Sequence, residues 1–120
     1  YNLSGWIGIQ DTPEELGEWY GAIEKELDAL EGSHSIRNLE ICSMYWFVIT
    51  DQESDQTPQG KASNILIGTA EQITENLKRL KKVGLTMPLI WPPFTDVPVS
   101  KTLEDLRVLK EEIMPEVNAV

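Results

Sequence analysis

Hydrophobic residues fall along this chain in two rhythms. Short apolar runs bounded by glycine, proline or polar clusters alternate with longer stretches in which apolar residues recur every three or four positions. The first run, Gly5-Trp6-Ile7-Gly8-Ile9, is short and glycine-flanked and predicts a buried strand. Asp11-Thr12-Pro13-Glu14-Glu15 then has the chemistry of a helix start. Thr12 or Asp11 can cap the free amides, Pro13 suits the first turn, and Glu15 stands three residues after Thr12 as in a capping box. The acidic first turn also opposes the positive end of the helix dipole. Leu16, Trp19, Tyr20, Ile23, Leu27 and Leu30 follow at helical spacing and give one apolar face, on a helix that stops near Gly32.

The segment from Leu39 to Thr50 is the strongest strand signal. Ile41, Tyr45, Trp46, Phe47, Val48 and Ile49 are β-branched or aromatic, and the run from Met44 to Ile49 is apolar at every position, which predicts a strand covered on both faces. Asp51 to Ser63 is polar, contains Pro58 and Gly60, and reads as a loop. Ile65-Leu66-Ile67 is a short strand or an extended lead-in. The helix-start logic then repeats, with Thr69 as cap and Gln72 as its capping-box partner. Ile73, Leu77, Leu80 and Val83 form the buried stripe of this second helix. Lys78, Arg79, Lys81 and Lys82 sit where positive charge offsets the carbonyl end, and Gly84 suits the C-terminal cap. Met87 to Trp91 predicts another short strand, which Pro92-Pro93 must end. A last helix opens at Ser100 or Thr102, turns Leu103, Leu106, Leu109 and Ile113 inward, and ends near Pro115.

The order is strand, helix, strand, loop, helix, strand, helix. Such alternation implies an α/β fold of parallel strands with right-handed crossovers, here about three β-α units in a single domain over residues 1–120. A complete eight-fold barrel takes roughly 250 residues, so a barrel of this kind would be incomplete in a chain of 120.

Composition narrows the function classes. Twenty acidic residues against ten basic ones give a formal net charge of −10, a surface that repels phosphate backbones and argues against nucleic-acid binding. No apolar run approaches the roughly 18 residues of a membrane-spanning helix, so no membrane partner is expected. A lone Cys42 permits no internal disulfide and fits a reducing, cytoplasmic setting, and one Cys with one His cannot build a usual structural zinc site. The chain begins at Tyr1, which fits the expectation that earlier units lie elsewhere.

Several motifs, taken in order, carry a family resemblance. Gly68-Thr69-Ala70-Glu71-Gln72-Ile73, the helix to Gly84, Leu89-Ile90-Trp91-Pro92-Pro93-Phe94, and Leu106 to Met114-Pro115 resemble the C-terminal end of luciferase-like flavin-dependent oxidoreductases. Ala70 stands where that family usually has proline. Gly5-Trp6-Ile7-Gly8 with Thr12-Pro13-Glu14-Glu15-Leu16 is similar to its "D-G-W" strand and "T-P-E-E-L" helix, with Ser4 in place of the usual Asp. The resemblance implies the last three or so units of a (β/α)8 TIM barrel. It also implies reduced FMN or a deazaflavin as cofactor, and monooxygenase or related redox chemistry on a small-molecule substrate. The family's earlier strands and its Gly-rich phosphate-binding stretch are missing from this chain, and the connection from Asp51 to Lys61 is shorter than usual. The isolated chain is therefore expected to be weakly active or inactive. The alternative is a non-catalytic partial barrel that hides its open edges by forming a homo-oligomer or by associating with a missing N-terminal segment.

Barrel chemistry sits at the C-terminal ends of strands, which selects Trp6 to Gly8, Ile49 to Asp51 and Trp91 to Phe94. Trp6, Trp91 and Phe94 are the candidate cofactor- or substrate-binding residues, as aromatic walls of an apolar pocket, although core packing is the commoner role for aromatics such as Trp91 and Phe94 beside a strand-ending turn. No catalytic residue and no metal ligand can be named. His34 is the only histidine, but it falls in a helix-to-strand loop, on the face opposite barrel chemistry. Cys42 has no basic neighbour in sequence and reads as a buried, inert thiol. Glu14-Glu15 and Glu111-Glu112 read as solvated helix-surface charge. The Lys78 to Lys82 cluster and the Gly68-Thr69 helix start could each meet an anion, but a simple helix-end role accounts for both.

Overall fold

The computed structural model describes residues 5–9, 12–30, 39–54, 65–91 and 97–119. Its strands are all parallel. β1 (Gly5–Ile9) lies beside β2 (Glu40–Trp46), which lies beside β5 (Met87–Trp91), and β3 (Val48–Ile49) pairs with β4 (Ile67–Gly68). Phe47 alone separates β2 from β3, so residues 40–49 run as one apolar spine through both sheets. The alternation of strand and helix thus yields a mixed α/β fold with parallel strands in open sheets. The lead-in at residues 65–67 becomes a short strand only at its end, where β4 finds β3.

The helices follow the capping chemistry closely. α1 (Pro13–Ala29) starts with the Thr12 hydroxyl accepting from the Glu15 amide at 3.1 Å. α2 (Ala70–Lys82) has a full capping box: Thr69 Oγ1 accepts from the Gln72 amide, and Gln72 Oε1 accepts from the Thr69 amide, both at 3.2 Å. Gln72 Oε1 accepts from Ser54 as well, at 3.0 Å, which ties the start of α2 to the chain leaving β3. Gly84 closes α2 with φ at +120°, and a Cβ there would meet the Tyr20 ring at 2.3 Å. Glycine is thus required both for the turn and for the approach of α1.

Both helices cover the same side of the sheet. Leu16 and Leu27 of α1, and Ile73, Leu77 and Leu80 of α2, join one buried cluster with Ile41, Tyr45 and Phe47 of the spine, and Ile90 of β5 packs against it. This one-sided wrapping follows from strand order. The crossovers that carry α1 and α2, from β1 to β2 and from β4 to β5, step the same way across the sheet, and right-handed crossovers of one direction return over the same face.

The C-terminal helix departs from the sequence pattern. It begins at Val99, after Pro98, and runs through Pro115 without stopping there. α3 (Val99–Val108) continues into a π-helical turn (Leu109–Ile113) and then α4 (Met114–Asn118). Leu103 and Leu106, expected inward, point outward, with Leu103 61% exposed, while Asp105 is 4% exposed. Leu109 and Ile113 do turn inward. The inward residues are Asp105, Leu109, Ile113 and Val117, four apart each time. An α-helix of 3.6 residues per turn would drift off such a face by about one residue in this span. The π turn, in which the Met114 amide reaches Leu109, takes up that excess. Pro115 lacks the N–H that an α-helical bond to Glu111 would need, which fits a widened turn just before it.

Ile113→Ala is therefore expected to cost about 2–5 kcal/mol in urea unfolding. Leu103→Ser, at a position the periodicity alone marks as core, should change stability by no more than about 0.5 kcal/mol. Gly84→Ala should destabilise by more than about 1 kcal/mol, because φ and the Tyr20 ring both oppose a side chain.

Candidate functional site

Side chains alternate across a strand, so the spine has two rows. The helix-side row holds Ile41, Ser43, Tyr45 and Phe47, all buried. The opposite row holds Cys42, Met44 and Trp46, and the register aligns Met87, Leu89 and Trp91 of β5 and Ile9 of β1 with it. That row is apolar throughout, yet the buried apolar side chains of the described helices all join the other cluster. Met44, Trp46 and Leu89 are half-buried, Trp91 is 41% exposed and Ile9 72%. The covering expected on both faces of the spine is thus found on one face among the described residues. The reason is again the strand order, which sends the crossovers carrying α1 and α2 to one side.

The C-terminal ends of β2 and β5 bring Trp46 and Trp91 together. They are register partners, and their rings meet edge to face with centroids 6.5 Å apart. The pair forms an aromatic wall at the end of the apolar row. Trp91 was marked by sequence and Trp46 was not, although its parity with Met44 and its place in the same strand signal the same face. Trp6 lies within β1, where the backbone register pairs it with Ile41, five residues before the Trp46–Trp91 pairing. Phe94 and His34 lie outside the described residues.

Cys42 lies at the start of this row and is buried. Burial, with a smaller contribution from the Glu40 carboxylate, pushes its thiol above the ordinary range, which disfavours the thiolate a nucleophile requires. The Gly68-Thr69 helix start uses three of its amides locally: the Gln72 amide goes to Thr69 Oγ1, the Thr69 amide to Gln72 Oε1, and the Ile73 amide to the Thr69 carbonyl. A Cβ at Gly68 would approach Gln72 Oε1 to 2.2 Å, so this glycine makes room for the cap itself.

The basic cluster of α2 lines an open recess of about 340 Å³. Arg79 pairs with Glu14 at 2.9 Å, Lys78 with Glu75 and Glu116 at 3.4 and 3.9 Å, and Lys81 donates to the Val117 carbonyl at 3.2 Å. These cations dock α2 to α1 and α4 and compensate the carbonyl end of α2. A second group of surface charges pairs within the C-terminal helix. Arg107 holds Glu104 and Glu111 at 2.6 and 2.7 Å, and its hydrogen bond keeps the Glu104 carboxyl below the usual carboxylate range. Among the described residues there is no cluster of three or more metal-ligating side chains, and no helix is long and apolar enough to cross a membrane.

One polar constellation escaped the sequence reading. Lys101 and Asp105 form an ion pair on α3, and both reach the backbone of Ile49, at a strand end marked as a candidate. Their i, i+4 spacing shortly after the strand-ending prolines was a usable signal, masked by the leucine periodicity beside it.

The thiol of Cys42 should react with a disulfide reagent at least about tenfold more slowly in the native chain than in denaturant, and the native rate should still be rising at pH 9. Replacing Arg107 with alanine should return the Glu104 pKa upward toward its ordinary value, as followed by carboxyl NMR titration. Compared with known proteins, the chain matches no protein-family model and no curated protein.

Proposed function

We propose that this chain supplies the C-terminal β-α units of a luciferase-like TIM barrel that works as a flavin- or deazaflavin-dependent oxidoreductase, a monooxygenase acting on a small organic substrate. One observation carries the reading. Three parallel strands in the order β1-β2-β5 have helices on one face and an apolar row, ending in the Trp46–Trp91 wall, on the other. A barrel wall is built this way, with crossovers outside, an apolar interior, and chemistry at the C-terminal strand ends. A doubly wound sheet, with helices on both faces, is not.

The described residues fit part of the cofactor. The apolar row and the tryptophan pair suit a flat aromatic ring system, which such a wall would orient and shield from water. They show no Gly-rich phosphate loop: the Thr69 and Gln72 amides at the start of α2 serve its own cap, and the basic cluster lies at the other end of that helix. When bound, the reduced ring supplies the electrons, and the role of this segment is to position and exclude. Trp91 is the binding residue best supported by the geometry, with Trp46 its partner.

A second reading rests on the same exposed surface. Ile9, Met87 and Trp91 on the sheet are the kind of apolar patch that self-association hides, which would make the chain a non-catalytic module. Titration with FMN and with a deazaflavin, read by tryptophan quenching and paired with sedimentation, separates the two. Saturable micromolar binding that Trp91→Ala weakens by about tenfold supports the oxidoreductase reading. An oligomer that binds neither cofactor overturns it in favour of the module.

A further inference from the structure

The edge of the spine facing β5 changes hands after Phe47. The Phe47 amide donates to the Trp91 carbonyl at 3.0 Å. A regular parallel ladder would next draw an N–H from Pro93, and proline has none. The next residue to present its backbone on that edge is Ile49. Val48 and Thr50 turn their amides the other way, to the carbonyls of Leu66 and Gly68 at 3.1 and 2.8 Å. On the β5 edge, the Ile49 amide donates to Asp105 Oδ2 at 3.2 Å, and the Ile49 carbonyl accepts from Lys101 Nζ at 2.7 Å. One carboxylate and one ammonium, paired on α3, fill the acceptor and donor positions that a neighbouring strand would provide.

Among the described residues, the first two turns of α3 have little else to fasten them to the sheet, and of its apolar side chains Val108, at its end, packs on the core. Its N-terminal cap makes no side-chain hydrogen bond, and Val99, Leu103 and Leu106 are exposed. Deep apolar anchorage resumes only at Ile113 and Val117. An element held by few buried apolar contacts and one polar contact has the character of a local opening unit. We infer that Lys101 and Asp105 act as a surrogate strand closing the spine where β5 stops, and that α3 with this one rung is a strap that opens as a unit, apart from α2 and the rest of the sheet. The strap lies at the C-terminal end of the spine, so its opening would bare the Ile49 backbone there.

Residue-resolved amide hydrogen exchange by NMR on the intact chain tests the inference. In the wild type, the Ile49 amide should be protected by about tenfold or more over an unstructured amide and should exchange at the rate of the α3 amides. The Val48 and Thr50 amides, held by β4, should exchange more slowly. Asp105→Ala should speed Ile49 exchange by about tenfold or more, since the amide loses its acceptor. The Leu77 and Leu80 amides in α2 should stay within about twofold of wild type. Asp105→Asn, whose side-chain oxygen still accepts, should restore part of the protection. Lys101→Met should speed exchange in α3 and spare α2, and together with the wild-type pattern it decides the matter if Asp105→Ala does not fold. The inference is overturned by an Ile49 amide as fast as an open loop in the wild type. Variants that leave its rate unchanged would also overturn it, as would acceleration shared equally by Leu77 and Leu80, which would make the pair an element of global stability.

Discussion

Every backbone N–H and C=O on the spine at residues 40–49 must find a partner once its helix-side row is buried, and the rest of the structure is arranged to meet that demand. The spine is longer than any strand beside it. On one edge β1 serves the lower part and β4 takes over above it. On the other edge β5 serves the same lower and middle part, and side chains from α3 take the last rung. Each neighbour is short, and none is redundant. The start of α2 is fixed by the same requirement, since Gln72 ties its cap to Ser54, just beyond the spine.

The second organising fact is one-sidedness. The strand order sends the crossovers carrying α1 and α2 to one face, so the buried cluster forms between helices and sheet while the opposite apolar row is left for something else to cover. That asymmetry is what makes the sheet interesting for function. A row of Met, Leu, Ile and Trp with no polar member suits a flat apolar ligand, or the interior of a larger barrel. Several charged groups among the described residues, by contrast, serve packing: Arg79 ties α2 to α1 through Glu14, and Arg107 braces its own helix through Glu104 and Glu111.

The sequence by itself determined the local structure. The caps at Thr12 and Thr69, the turn at Gly84 and the strand character of residues 40–49 all appear as their chemistry requires, because each depends on residues only a few positions apart. Trp91 was legible as a candidate for the same reason, standing at a strand end before two prolines. Tertiary structure decided the rest. It chose which face of the spine the helices cover, and so turned a strand that reads as buried on both sides into one with an open row holding Trp46 beside Trp91. It also rotated the last helix. Leucine spacing favoured Leu103 and Leu106 as core, but the unpaired rung at Ile49 needed a donor and an acceptor, and Lys101 and Asp105 supply both. An unmet backbone hydrogen bond next to a buried cluster costs as much as the burial of a leucine gains, so the polar residues turned inward and the leucines did not. A requirement set by residues more than fifty positions away leaves no mark in local periodicity.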